Sequence, residues 1–574
     1  MARANDTIAG LLEEYADLLS ITGGEAFKAR VYEKAARAVS GHHVDVSTLD
    51  AKELQKIPGV GKSIAEKVAE YLATGQIAAV EELRLKIPDS VRAMTVIPGL
   101  GPKKALTLYE DLGISSVGQL EQALRDGALD GVRGFGKKTA ENLLRGIELI
   151  RGGTERVQVD AAMAIAEEIV AALSTIEGCQ DCTYAGSLRR LRETIGDIDI
   201  LAASHDPAPL MQAFVDLGLV ADVIVRGEKK TSIRTTRGLQ VDLRVVPPES
   251  WGAALQYFTG SKQHNVRIRE IAVRRGLKLS EYGLFKADDG TLIVSRTEEE
   301  VYEQLGLAWV PPPMREDRGE VDAAANGRLP ALIQLTDIKG DLHTHTNLTD
   351  GVSTMEEMAA AGRARGLKYY AVTDHAKNLP MQRMTDDKML AQRDALRQHT
   401  EGKLTLLHGT ELNIDPEGEV DWDADFLAGF DVCVASIHTH FTLPADQQTR
   451  RLIRACENPH VHIIGHPTTR QIGRRAPIEA HWDEVFAAAA RTGTAMEINS
   501  HPDRLDLPDE LVWRARQHGV KFALNTDSHS IRHLDNLRYG IGLAQRAWLT
   551  TDDVITAWPL ARLRTFLQAK QRLS

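Results

Sequence analysis

The sequence predicts a multidomain chain with an all-α N-terminal region, a mixed α/β middle, and a C-terminal parallel α/β barrel or open sheet. Three observations carry this. Glycine-rich turns recur at an interval of about 40 residues between helical stretches in residues 1–150, an internal repeat. Strand-like alternation begins only after that. From Ile338 onward, short apolar strands alternate with helical stretches of roughly 10–15 residues, the pattern of parallel sheets. The length of 574 residues agrees, at roughly 150 residues per domain. A hydrophobic share of 43% and a charged share of 26% exclude a mostly disordered or collagen-like chain. No run approaches the ~18 apolar residues of a membrane span, and the opening MARANDTIAGLLEEYADLL reads as an acidic amphipathic helix. A cytoplasmic protein with no membrane partner is therefore expected. Four cysteines give no disulfide framework, and Cys179-Gln-Asp-Cys182 reads as two incidental thiols.

The helical region is punctuated at Pro58-Gly59-Val60-Gly61, Pro98-Gly99-Leu100-Gly101 and Gly134-Phe135-Gly136. An apolar-Gly-apolar-Gly turn bares backbone amides at a helix N-terminus, and these hold a phosphate together with the helix dipole. A lysine follows each turn, as Lys62, Lys103 and Lys137. The turns resemble helix-hairpin-helix binders of the DNA backbone, which implies DNA contacts at Gly59, Gly61, Gly99, Gly101, Lys103, Gly134 and Gly136. Such a grip is independent of sequence. The net charge of −11 would argue against nucleic acid, but a grip by backbone amides and metal ions escapes that test.

In the middle region a helix is expected from Val157 to Leu173, and strands at Thr183-Tyr184-Ala185, Asp197 to Leu201 and Val241 to Val245. Side chains two apart in a strand share a face, so Asp197 and Asp199 point together, and Asp242 joins them if its strand lies alongside. Three crowded carboxylates demand cations, and hard oxygen ligands select Mg²⁺. Gly186-Ser187 forms a tight turn ahead of the aspartates, able to hold outer phosphates. A DxD with such a turn and a third strand aspartate points to nucleotidyl transfer.

Gly186-Ser187, Gly196-Asp197-Ile198-Asp199, Val241-Asp242-Leu243-Arg244 and Tyr257-Phe258-Thr259-Gly260-Ser261 appear in the order seen in family X DNA polymerases, the group of DNA polymerase beta. The resemblance extends over about residues 7–317. It implies an N-terminal lyase-like helical domain (1–90), a second helix-hairpin-helix subdomain (91–150), a nucleotidyltransferase palm (151–245) and a subdomain binding the nascent base pair (246–318). By the same resemblance Asp197, Asp199 and Asp242 bind Mg²⁺ or Mn²⁺. Gly186, Ser187, Arg190 and Gly196 serve the triphosphate, and Tyr257, Phe258 and Gly260 line the sugar pocket. Asn265 reaches the minor-groove edge of the incoming base, and Arg269 lies near the templating base. Lys67 falls at the place of a Schiff-base lysine and Lys28 at a supporting one. Ser63 stands where lyase members keep another lysine, so a 5′-phosphate pocket is the expectation there.

Pro311-Pro312-Pro313, a charged stretch and Ala323-Ala324-Ala325-Asn326-Gly327 suggest an interdomain linker, placed at 319–337. Beyond it come His343, His345, Asp350, His375, Glu411, His438, His466, Asp527 and His529, the histidines each following a short apolar run. Ligands at the C-terminal ends of successive parallel strands converge on the top of a barrel. Arg470, Arg504 and Lys377 lie beside these motifs and are candidate phosphate holders. The region resembles the PHP (polymerase and histidinol phosphatase) family over 338–574, which implies a distorted (β/α)7 barrel. The resemblance places one ion with His343, His345, Glu411 and Asp527, a second with Glu411, His438 and His466, and a third with Asp350, His375 and His529. Imidazole and carboxylate ligands suit Mn²⁺, Zn²⁺ or Fe²⁺.

The function expected is a bacterial DNA polymerase that fills short gaps in repair, by base excision or end joining. Its PHP domain would add a metal-dependent 3′–5′ exonuclease or 3′-end-processing activity. Gapped or primer-template DNA and dNTPs are the expected partners, for a monomer working at the nucleoid. The alternative is a phosphatase of the histidinol-phosphate type fused to a DNA-binding module, which the glycine turns argue against. A non-catalytic scaffold would not keep every carboxylate and imidazole.

Overall fold

The computed structural model describes residues 4–21, 26–42, 44–57, 59–86, 91, 94, 97, 100, 102–129, 132, 135, 136, 139, 140, 143, 144, 147, 156–379, 382, 384–398 and 404–570. In the N-terminal region the helices Ala4–Ile21, Ala26–Gly41 and Lys62–Thr74 pack around Leu12, Tyr32, Ile64 and Ala65. The first glycine turn sits where expected. Gly59 has φ +89°, and Gly61 caps the helix Lys62–Thr74 in extended conformation. Gly136 accepts the amide of Ala140 at 3.0 Å, again at a helix start. Gly99, Gly101, Gly134 and the side chain of Lys103 lie outside the described residues.

The middle region is a five-stranded sheet in the order 181–184, 197–203, 240–246, 230–235, 220–226. The aspartate strands Asp197–Ala203 and Gln240–Val246 are parallel neighbours. The helix expected from Val157 begins at Val159 instead. Val157–Gln158 forms an antiparallel pair with Thr194–Ile195, because the extended backbone just before the DxD strand offers ladder partners that a β-branched Val157 suits. Helices Trp251–Thr259 and Lys262–Arg274 and an antiparallel three-stranded sheet (277–280, 283–286, 292–294) follow. In the proline- and alanine-rich stretch, Glu320–Ala325 is a helix whose Val321, Ala323 and Ala324 enter the core of this subdomain. The buried Glu320 carboxylate pairs with His264 Nδ1 at 2.6 Å.

The C-terminal region is a seven-stranded, all-parallel sheet in sequential order from Gly340–Asp341 to Phe522–Asn525. A bridge between Thr344 and Ser528 brings its ends together, so it is a nearly closed barrel. Strands such as Tyr369–Val372, Val432–Ser436 and Ala495–Asn499 are buried along their length, as parallel strands under helices must be.

This barrel is docked on the five-stranded domain and on the subdomain that follows it through ion pairs, of which those of Arg470 and Arg546 are largely buried. Arg470 Nη2 lies 2.6 Å from Glu193 and also donates to the Leu505 carbonyl, while its Nε donates to the Arg504 carbonyl. Arg546 reaches Glu316 at 2.7 Å, and Arg538 reaches Glu167 at 2.5 Å. A Cβ at Gly542 would meet the Leu191 side chain at 2.7 Å, so the two surfaces touch there at backbone distance. Truncating a buried arginine leaves its carboxylate without a partner. Arg470→Ala is expected to cost roughly 1–3 kcal/mol and to split the thermal unfolding of the two regions into separate transitions, read by calorimetry.

Two candidate metal centres

In the first centre the parallel register sets Asp199 opposite Asp242, with Asp197 two residues away on the same strand face. The three aspartates that the sequence placed together stand close enough for Asp197 and Asp242 to act on the Asp199 carboxyl. Burial, then the charges of Asp197 and Asp242, push the Asp199 carboxyl up to about 6. Burial pushes Asp242 the same way, but hydrogen bonds from Lys230, Gln240 and Ser232 outweigh it and hold Asp242 below its usual value. Lys230 Nζ lies 2.6 Å from Asp242, and Gln240 Nε2 donates at 3.0 Å. Gly186, at φ +59°, presses against the Asp199 carboxylate so closely that any Cβ would overlap it. Lys230 and Arg244 against three carboxylates still leave negative charge that divalent cations would neutralise, which fits Mg²⁺ or Mn²⁺.

Arg190 borders this centre from the turn side. Its Nε lies 2.9 Å from Glu316, and its Nη1 donates to the Thr259 carbonyl at 2.6 Å. Tyr257 and Phe258 meet edge-to-face at 5.1 Å, beneath Arg269 and Arg244 respectively. Asn265 is pinned by Gln256 Nε2 and by the Tyr257 carbonyl, both at 2.7 Å, and Arg269 Nε donates to the Asn265 carbonyl. Gly260, with φ +69°, ends the aromatic helix. Ser187 stands in the short helix Gly186–Arg189, and Gly196 is buried immediately before Asp197. Among the N-terminal helices, Lys67 Nζ sits 5.7 Å above the Tyr15 ring and 3.4 Å from Ser63 Oγ, while Lys28 is exposed.

The second centre gathers all nine expected ligands at the barrel top. Glu411 lies at its middle, with His466 at 3.0 Å, His438 at 3.1 Å, His375 at 2.9 Å and His343 and His345 at 3.5 Å. Asp527 is 3.2 Å from His345, and Asp350 is 3.3 Å from His529 and 3.4 Å from His375. Three sets of ligand atoms could each hold an ion: His343, His345 and Asp527; His375, Glu411 and His438; His345, Asp350, His375 and His529. These sets cut across the expected partition, since His375 faces Glu411 as well as Asp350 and His466 falls in none of them. Both ring nitrogens of the fully buried His345 and Nε2 of His343 lack a well-formed hydrogen bond, as imidazoles aimed at a cation would. The donor set fits borderline divalent metals.

Burial would keep His343 neutral, but Glu497, Asp527 and Glu411 raise it well above the usual imidazole range. Asp350 and Glu411 do the same for His375, and Asp350 chiefly for His529. His466 stays low, at about 4, because burial dominates. Protons thus stand where cations would.

The supporting groups were not read from the sequence. Glu497 is fully buried, accepts His343 Nδ1 at 2.7 Å and the His466 amide at 2.6 Å, and is itself held by Asn525. A carboxylate inside the apolar run Ala495-Met496-Glu497-Ile498 was the available signal. Asn413 takes the Nδ1 of His438 at 2.7 Å. Of the candidate phosphate holders, Arg470 is a correction: it is buried against Glu193 as a domain anchor and cannot serve a substrate. Lys377 is paired with Asp386, while Arg504 lies 3.7 Å from Asp527.

Comparison with known proteins agrees with this geometry. Residues 3–77 match a helix-hairpin-helix domain, 91–148 a SAM-like helix-hairpin-helix tandem, 254–316 the DNA polymerase beta thumb and 341–501 the PHP domain. The DNA polymerase/3′-5′ exonuclease PolX of Bacillus subtilis is 36% identical over 567 residues, 98% of this chain and 99% of that protein. The chain belongs to the family X DNA polymerases that carry a C-terminal PHP domain. DNA polymerase lambda of Rattus norvegicus is 27% identical over 51% of this chain and 53% of its own length. A probable phosphatase of Thermoanaerobacter sp. (strain X514) is 29% identical over 40% of this chain and 95% of its own length. The family X part of the chain thus carries the carboxylate centre and the PHP part the imidazole centre.

The folded Asp199 value lies above the unfolded one, so its contribution is favourable at low pH and is lost as pH rises through about 6. In metal-free protein at pH 7.5, Asp199→Asn is therefore expected to stabilise by roughly 1–3 kcal/mol, the gain shrinking below pH 5, as thermal melts would measure. Metal loading of the PHP cluster is expected to expel about two or three protons, visible in calorimetric titrations repeated in buffers of different ionisation heat. Glu497→Gln is expected to weaken that loading roughly 10–100-fold.

Proposed function

We propose that this chain is a gap-filling DNA polymerase whose PHP domain acts as a 3′–5′ exonuclease, trimming or cleaning the same 3′ termini that the family X part extends. The observation that carries the reading is the pairing of Asp199 with Asp242 in register, under the Gly186 turn, in one chain with a separate convergent imidazole cluster. The substrates are gapped or primer-template DNA and dNTPs, in DNA repair by base excision or end joining, and the protein works as a cytoplasmic, nucleoid-associated monomer.

At the polymerase centre Asp197, Asp199 and Asp242 would hold Mg²⁺ or Mn²⁺. The ions supply charge neutralisation of the leaving pyrophosphate and a more acidic 3′-hydroxyl. The chain's own contribution is placement. Lys230 and Gln240 keep Asp242 ionised and oriented. Ser187, Gly186, Gly196 and Arg190 serve the triphosphate side. Tyr257, Phe258 and Gly260 bound the sugar, Asn265 is held rigid to meet the base edge, and Arg269 lies next to it toward the template. At the PHP centre up to three ions, Mn²⁺, Zn²⁺ or Fe²⁺, would sit among the nine ligands, with Glu497 and Asn413 fixing ring orientation. Gly59, Gly61, Gly99, Gly101, Lys103, Gly134 and Gly136 grip the duplex backbone. Lys67, over two tyrosine rings, serves a 5′-phosphate pocket.

Primer extension and 3′ degradation on gapped DNA with Mn²⁺ or Mg²⁺ test the division. The Asp197→Ala/Asp199→Ala variant is expected to lose extension by at least ~10³-fold and keep degradation, and His343→Ala/His345→Ala to do the reverse. Both activities surviving in both variants would overturn the assignment.

A further inference from the structure

The segment joining the Gly186-Ser187 turn to the first catalytic aspartate is clamped by the PHP domain rather than by its own domain alone. The Arg190 carbonyl accepts Arg546 Nη1 at 3.3 Å. Leu191, in the left-handed region at φ +54°, lies against Gly542. Glu193 is taken by Arg470. A non-glycine residue holds such a conformation only where its surroundings impose it.

Arg546 is the centre of this clamp. It ends the helix Leu537–Arg546 and is 3% exposed. Its Nη1 donates to Glu316 at 2.7 Å and its Nη2 to Asp509 at 2.7 Å. The same Glu316 oxygen receives Arg190 Nε at 2.9 Å, and Arg192 lies 3.8 Å from its other oxygen. Asp509 is also 3.0 Å from Arg318. Four guanidinium groups therefore share two carboxylates.

We propose that Arg546, a side chain of the PHP domain, is a positioning residue of the polymerase's nucleotide pocket: it shares Glu316 with Arg190 and fixes the Arg190 backbone, so that the neutralised carboxylate leaves the charge of Arg190 to a triphosphate. This rests on the reading of Arg190 as a triphosphate contact. Arg190 already pairs with Glu316 at 2.9 Å; without Arg546 the charge of that carboxylate is left chiefly to Arg190, and the positive charge Arg190 offers a triphosphate falls. With Arg546 present, Glu316 is shared and the cluster keeps a positive surplus beside the turn that faces the phosphates. The hydrolytic domain thereby completes the binding site of the synthetic one.

The test uses full-length protein on a gapped duplex with Mg²⁺, measuring dNTP KM and kcat together with 3′ degradation. Arg546→Met is expected to raise KM about tenfold with kcat changed less than about threefold and degradation kept, and Arg546→Lys to recover part of the loss. Adding Glu316→Gln to Arg546→Met is expected to restore KM, because the unneutralised carboxylate is gone; a merely structural arginine would not be rescued that way. Glu316→Gln alone, which keeps Arg546 and so the docking, is expected to lower KM, giving a readout even if Arg546→Met folds poorly. Unchanged KM in Arg546→Met, or a raised KM that Glu316→Gln does not correct, overturns the proposal. Arg190→Met separates the premises. If it leaves KM unchanged, the triphosphate reading of Arg190 fails and the proposal with it; if it raises KM while Arg546→Met does not, only the role of Arg546 fails.

Discussion

Crowded carboxylates that cannot all stay charged without a cation are the constraint on which this molecule is organised. Two buried or half-buried centres meet it by different means. In the five-stranded domain three aspartates face Lys230 and Arg244, and burial with the leftover negative charge raises Asp199 to about 6. In the barrel the carboxylates of Asp350, Glu411, Asp527 and Glu497 are interleaved with imidazoles, and the rings take up protons that bound cations would displace. The first arrangement leaves an oxygen-rich centre suited to hard ions. The second offers mixed nitrogen and oxygen donors, suited to metals that can generate hydroxide near neutral pH. On the proposed division, synthesis and hydrolysis of phosphodiesters would be separated by donor chemistry as well as by domain.

Both centres were legible because their signals are local. The two-residue spacing of Asp197 and Asp199 defines one strand face, and the apolar runs before His375 and His438 mark strand ends whose convergence follows from parallel order. Asp242 needed a partner strand that no spacing specifies, and its register opposite Asp199 is a tertiary fact. The same limit hid the interface. Nothing near Arg470 distinguishes a phosphate holder from an anchor, and only the approach of Glu193, 277 positions earlier, decides it. Val157 illustrates a milder failure: its helical neighbours extend the periodicity backwards, while the Thr194–Ile195 backbone captures it as a strand. Glu497 was visible as a charge in an apolar run, but its role as the partner of His343 depends on a strand 154 residues away in sequence.

The stretch after the three prolines shows how composition can suggest mobility that packing removes. Alanine, glycine and charge look like a tether. Yet Glu320 closes a buried pair with His264, which in turn bonds Tyr302 at 2.7 Å, and the alanines fill the adjacent core. Trp548 of the barrel region joins that same core. The connection is therefore a packed bracket between the two regions.

That bracket bears on how a single chain can carry opposed chemistries without the two domains acting as strangers. The loop from Arg190 to Glu193 lies between the phosphate-side turn and the catalytic strand, and any shift in it moves Asp197 relative to Gly186. Here the loop is held from the barrel side at its backbone, at Leu191 and at Glu193. A domain tethered only for proximity would need none of these contacts, since a flexible linker supplies effective concentration by itself. Buried guanidinium groups are costly to desolvate and are retained only where their partners are fixed. Among the described residues, the buried guanidinium groups of this interface, Arg470 and Arg546, both hold this loop, which argues that the barrel is part of the scaffold that would aim the proposed polymerase centre.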